Sequence, residues 1–238
     1  MTRSSDQTAM GGYERHFPET EWTRMHNPIQ REAILAELCE RYWKPLYAYL
    51  CCKGFQNEQA KDLVQGFFTD KVLGQEFVTS ADRNRGRFRN FLLVALRNYT
   101  INVQKKDKGQ GNQSIENLSL DPADDQGPET EFDRAWAEAL LAESLETLKS
   151  EYLRKDRQVY WELFREWLLE RDESADSASM DDLCVKYQIP NPNQAYKIIF
   201  RTKARFREVL RTKLQSQVAT EEEVDIEIAR FIEIFSQH

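Results

Sequence analysis

The chain has 238 residues, of which 40% are hydrophobic and 31% charged, and its formal net charge is −7. That is enough apolar residue for one large or two small folded domains. No run approaches the roughly 18 apolar residues of a membrane span, and the first sixteen residues lack the apolar stretch of a secretory signal, so the cytoplasm is expected. Cys39, Cys51, Cys52 and Cys184 form no C-x-x-C pair and read as small apolar fillers in a reducing compartment.

The charge is distributed in blocks. Residues 1–82 carry −3, 83–108 carry +7, 109–182 carry −13, 183–213 carry +7 and 214–238 carry −5. Two basic islands therefore flank an acidic middle. The whole-chain sum argues against a polyanionic partner, but the local distribution argues for one.

Glycine and proline number only nine and seven, and apolar residues recur at spacings of three and four, which predicts helix almost throughout. A helix over 30–50 carries Ile34, Leu35, Leu38, Tyr42, Leu46, Tyr49 and Leu50. Pro45 is expected to kink or break it. Gly54 makes a turn. A second helix over 58–73 buries Ala60, Leu63, Val64, Phe67, Phe68 and Val72, leaving Lys61, Asp62 and Gln65 on the other side. By themselves these three mean a solvated face.

The first basic island, RNRGRFRNFLLVALRNYTINVQKKDK, holds eight basic residues and one acid. On a helix, Phe88, Phe91, Leu92, Ala95, Tyr99 and Val103 make one stripe, with Arg89, Asn90, Arg97 and Lys105 opposite. Cations beside rings and amides suit single-stranded nucleic acid, the cations tracking the backbone and the rings stacking on bases. Rings at helical spacing fit a core equally well.

Residues 109–132 read as a flexible acidic linker, rich in Gly, Asp, Asn, Ser and Pro and without periodicity. Two helices follow, one marked by Trp136, Leu140, Leu141, Leu145 and Leu148. The other is marked by Tyr152, Val159, Tyr160, Leu163, Phe164, Trp167 and Leu168. A polar break precedes a short helix with Leu183, Cys184 and Tyr187. The PNPN turn at 190–193 then opens a long helix over 194–214. A last acidic helix within 216–238 places Val224, Ile228, Phe231, Ile232 and Phe235 on its apolar side. The expected architecture is all-α: an extension over 1–28, a helical domain over 29–108, the linker, a second helical domain over 133–215, and the C-terminal helix.

The segment 180–214 has the helix–turn–helix pattern that lays a second helix in a major groove. Ala195, Ile199, Thr202, Phe206 and Leu210 face the core, leaving Gln194, Lys197, Ile198, Arg201 and Arg205 outward. Arg and Lys neutralise phosphates, and Gln194 near the helix start suits a base edge. A helical hairpin with a charged solvent face shows the same pattern. For catalysis there is no support: no Gly-rich phosphate loop, no metal-spaced His/Cys set and no G-x-S-x-G. His16, His26 and His238 lie near the ends, and no cofactor is expected.

Taken in order, HFPETEWT (16–23), LCERYWKPLYAYL (38–50), AKDLVQGFF (60–68), RGRFRNFLLVALRNY (85–99), the Trp136 helix and KIIFRTKARFREVLR (197–211) resemble extracytoplasmic-function sigma factors of bacterial RNA polymerase. The likeness is to the long branch with a C-terminal extension, typified by planctomycete members. It implies a non-enzymatic initiation subunit with a sigma region 2-like bundle and a region 4-like helix–turn–helix. Asp62, Leu63, Gln65 and Phe68 would face the clamp coiled coil of the polymerase's largest subunit. Asn84, Arg87, Arg89, Arg97, Asn98, Asn102 and Lys105 would engage and open the −10 promoter element as single strand. Gln194, Lys197, Ile198, Arg201 and Arg205 would bind the −35 element as duplex. An anti-sigma factor is a further partner that the resemblance allows, and a membrane is not one. Lys61 and Gly66 stand where the family usually carries acids. The alternative readings are a helix–turn–helix regulator without polymerase docking and an interaction protein whose helices bind other proteins only. The acidic middle is also expected to reduce unspecific DNA binding by the free protein.

Overall fold

The computed structural model describes residues 31–72, 88–109, 126–170, 178–218 and 220–236. These form helices α1 (Arg31–Cys52), α2 (Asn57–Phe67), α3 (Phe88–Gly109), α4 (Gln126–Arg154), α5 (Gln158–Leu168), α6 (Met180–Lys186), α7 (Pro192–Gln215) and α8 (Glu221–Ser236). A π-helical turn, Phe68–Val72, prolongs α2. No strand occurs among the described residues, and the fold is all-α.

The helices differ from the sequence expectation in several places: Tyr152, expected in the following helix, belongs to α4, and two further differences concern Pro45 and the start of α4. α1 runs unbroken through Pro45. A mid-helix proline costs about 3 kcal/mol, but Tyr42, Leu46, Tyr49 and Leu50 on either side of it are buried. Burial of each such side chain contributes about 1.5–3 kcal/mol and outweighs that cost. α4 begins at Gln126, inside the stretch expected to be linker. Pro128 is its third residue, where the missing N–H would lack an intrahelical acceptor in any case. Phe132 and Trp136 then anchor the new helix in the core.

The largest apolar cluster joins α1, α2, the π-turn and α3 to Phe132, Trp136 and Leu140 of α4. It continues through Leu210 and Leu214 of α7, Val218, and Val224 and Phe231 of α8. The expected boundaries at 133 and 216 therefore pass through one cluster. Two smaller clusters pack α5, α6 and the first half of α7 (Leu163, Leu183, Ala195 and Ile199 among them) and the far end of α4 against α5 (Leu148, Tyr152, Trp161 and Phe164). α4 runs through the largest cluster and the α4–α5 cluster.

Polar contacts inside the large cluster are paired, as burial demands. Tyr42 and Trp136 both donate to Gln217 Oε1, at 3.3 and 3.1 Å, holding the α7–α8 connection against α1 and α4. Arg89, only 3% exposed, donates from Nε to Asp133 Oδ1 at 3.2 Å and pairs with Glu227, itself 1% exposed. Its guanidinium lies 4.2 Å over the Trp136 ring. Arg230 closes the set on Asp133 at 2.8 Å. Two cations and two carboxylates from α3, α4 and α8 thus balance, three of them inside the fold and Arg230 exposed at its edge. This alters the expected pattern of α8: Val224 and Phe231 are buried and Ile228 half-buried, but Ile232 and Phe235 are exposed and Glu227 takes an interior position.

Candidate nucleic-acid interface

The α6–turn–α7 unit is built from its caps. Ser179 accepts the Asp182 N–H at 3.2 Å while Asp182 accepts the Ser179 N–H at 3.0 Å, a reciprocal box that starts α6. Hydrogen bonds from Ser179 hold the Asp182 carboxyl below the usual carboxylate range. Gln188 takes a left-handed φ of 54° after α6, and the Ile189 N–H returns to the Cys184 carbonyl at 2.9 Å. Asn191 then caps α7 by accepting the Gln194 N–H at 3.0 Å, with Pro192 as the first helical residue. The PNPN stretch is therefore a cap, and α7 starts two residues earlier than expected. Glu166 of α5 secures α6 by accepting from Lys186 at 2.7 Å and Tyr187 at 2.5 Å. The same two partners, Lys186 first, keep its carboxyl below its ordinary range. Burial, then Glu166, pushes the Tyr187 hydroxyl up.

α7 buries Ala195, Ile199, Thr202 and Leu210 and half-buries Phe206, as the spacing predicts. Gln194, Lys197 and Arg201 are exposed. Ile198 is not outward: it is half-buried against the α5–α6 cluster. Arg205 is exposed but committed, donating to Glu151 at 2.9 Å and Glu208 at 2.7 Å. At about 100° per residue the exposed arc runs from Tyr196 through Phe200 and Lys197 to Arg201, about 100° to 240° round from Ala195. The sequence-based set is centred near 260° on the same scale. Tyr196, 49% exposed, and Phe200, 71% exposed, belong to this face but lie outside the sequence-based set. Their phase against Ala195 and Ile199 was the available signal. Lys203 and Arg207 are exposed on the same side.

On α3 the two arginines are drawn into the fold, whereas Lys105 and Lys106 are exposed. Arg89 belongs to the interior ion cluster, because an arginine at that phase faces α4 and α8; it is not a strand contact. Arg97 is half-buried, donating to Tyr49 Oη at 3.1 Å and Glu129 at 3.0 Å. Asn98, Asn102 and Lys105 are exposed, and with Asn90 and Val94 they make a mainly amide strip. Phe88 is buried and Phe91 and Tyr99 are half-buried, so the rings pack in the core. Asn84 and Arg87 lie outside the described residues.

On α2, Asp62 and Gln65 are exposed and Leu63 is half-buried. Phe68 is not available to a partner: it is buried, stacked on Trp43 with centroids 6.2 Å apart. Lys61 pairs with Glu58 at 2.9 Å. Gly66 has a steric cause. The Tyr99 hydroxyl donates to Asp70 Oδ2 at 3.0 Å, and a Cβ at residue 66 would collide with that hydroxyl and lie 3.4 Å from Cζ. Burial and the Asp70 contact push the Tyr99 hydroxyl up to about 12.

Two surface depressions, of about 160 Å³ beside Arg41 and Glu143 and about 250 Å³ beside Arg134 and Phe235, fall below the roughly 300 Å³ usual for a small-molecule site. Among the described residues no group of His, Cys, Asp and Glu is arranged to hold a metal, and no helix is long and apolar enough to cross a membrane. No family model, curated protein or solved structure matches the chain. What fold and site define together is an all-helical protein whose capped helix–turn–helix presents an exposed cationic face.

Proposed function

We propose that the protein is a sigma factor of the extracytoplasmic-function type, a non-enzymatic cytoplasmic subunit that brings core RNA polymerase to promoters. The observation that carries the reading is the α7 face. Lys197, Arg201, Lys203 and Arg207 stand exposed on the helix that the Asn191 cap and the α6 turn orient. Such a face neutralises phosphates along a duplex, giving strongly salt-dependent affinity. The amide strip of α3, Asn98 and Asn102 with Lys105, supports strand contact at the −10 element, amides being suited to the edges of unpaired bases. Asp62 and Gln65 on α2 form the exposed part of a polymerase-docking surface.

The Glu129–Arg97 ion pair supports charge masking by the acidic middle. Asp133 is structural, so masking is probed by Glu129→Gln, which should raise free-protein DNA affinity at low salt. Unchanged affinity would discard the masking idea.

Docking is tested by capture of purified core polymerase with wild type, Asp62→Ala and Gln65→Ala. Retention by wild type and weaker retention by the variants is expected. The burial of Phe68 favours a second reading, a helix–turn–helix regulator without docking, because it removes one of the four residues expected to face the polymerase. Absence of core capture together with tight duplex binding would select that reading.

A further inference from the structure

Resting on the duplex half of the reading above, we infer that Phe200 is a specificity residue that contacts the C5-methyl group of a thymine in the major groove. Phe200 is the most exposed aromatic ring of the described residues, at 71%, and Tyr196, one turn before it, is 49% exposed. Tyr196 is braced edge-on by Trp167, with centroids 5.9 Å apart and planes at 83°. Phe200 projects from the helix clear of all three apolar clusters.

The surroundings identify the occupant. Lys197, Arg201 and Arg207 stand around the ring on the exposed arc, with Lys203 exposed at its edge. Among the described residues none of these four is in an ion pair, unlike Arg205 beside the arc and Arg211 farther along the helix. A protein partner that buried this ring would have to desolvate or neutralise all four cations, whereas duplex DNA supplies phosphates on both sides of a groove wide enough for a helix. Phe200 lies in the N-terminal half of α7, the part of a recognition helix that reaches base edges. A phenyl ring has no hydrogen-bonding group, and the apolar feature that distinguishes one base in the major groove is the thymine methyl. The cations position, and the ring discriminates.

The test uses the full chain. Duplexes retained from a randomised pool are identified, and each thymine of a retained site is replaced in turn by uracil, which removes only the methyl. Wild type should lose about fourfold in affinity at one position, corresponding to one buried methyl or about 0.8 kcal/mol. Phe200→Ala should lose a similar factor on the thymine duplex and show no further loss on uracil. Phe200→Leu should keep part of the discrimination. Circular dichroism checks that both variants are folded, which the exposure of the ring favours. If Phe200→Ala discriminates thymine from uracil as wild type does, the assignment is overturned while duplex binding stands. If Phe200→Ala lowers capture of core polymerase and leaves duplex affinity intact, the ring is a protein contact instead. If wild type retains no duplex, the assignment and the duplex half of the proposed function fall together.

Discussion

Replacing Arg89 with alanine should be the most damaging single change to the fold, although the sequence pattern alone puts this residue on a DNA-facing surface. The substitution leaves Glu227, 1% exposed, without the cation that neutralises it. It also removes the 3.2 Å contact to Asp133 and the guanidinium over Trp136. Breaking a buried pair from one side costs about 3–5 kcal/mol, because the remaining charge is uncompensated. Arg230 still balances Asp133, so the uncompensated charge is confined to Glu227. Against a typical stability of about 5–15 kcal/mol, the variant loses a fifth or more of its margin. In urea, with a slope of about 1–3 kcal/mol/M, the midpoint should fall by at least about 1 M. The double variant Arg89→Met with Glu227→Leu removes both charges and keeps the volume, and should recover most of the loss. Unfolding followed by far-ultraviolet circular dichroism and tryptophan fluorescence reads both. An Arg89→Ala midpoint within about 0.2 M of wild type would refute the reasoning, since it would mean that water reaches the cluster.

Gly66→Ala should destabilise by up to about 2 kcal/mol, overpacking of about 1–3 kcal/mol exceeding the helix-propensity gain of about 1. In a Tyr99→Phe background the loss should disappear, and persistence of the full loss there would count against the hydroxyl contact. For Tyr99 itself, a folded-state value of about 12 lies above its ordinary value of 10.0. The unfolded chain therefore releases this proton first, so the contribution is intact below pH 10 and lost as pH rises toward 12. Tyr99→Phe should flatten stability across that window. At the acid end, burial of Glu143 opposes ionisation, but Arg41 and Lys213 more than offset it and hold the carboxyl below its ordinary value. Its contribution is present above about pH 4.5 and lost on acidification, so Glu143→Gln should lessen the fall in stability below that pH. Lys197→Ala and Arg201→Ala should each reduce the salt slope of duplex binding by about one and weaken binding to all sequences alike. Arg205→Ala, already engaged by Glu151 and Glu208, should change the slope less.

Periodicity made the helices legible: the stripes through Ile34–Leu50, Ala60–Val72 and Ala195–Leu210 are the buried faces of α1, α2 with its π-turn, and α7. The start of α4 was obscured because Gly127 and Pro128 carry a loop signal in composition, while their position in a first helical turn makes the same residues harmless. The site was legible in its charge and less so in its phase. Arg89 and Arg97 read as a surface because arginine is usually exposed, and nothing local announces that Asp133 and Glu227, distant in the chain, meet Arg89 inside the fold. Phe68 and Ile198 were assigned to partners from their place in motifs, and tertiary packing uses them for the core instead. Phe200 shows the converse: an apolar side chain at an outward phase, which residue type alone assigns inward.

Run-off transcription with purified core polymerase on a library of genomic promoter fragments tests the central proposal most directly. Discrete transcripts should appear only when this protein is added, initiate at promoters sharing one −35 and one −10 element, and weaken with Lys197→Ala or Arg201→Ala. Core polymerase that yields the same transcripts with and without the protein would contradict it.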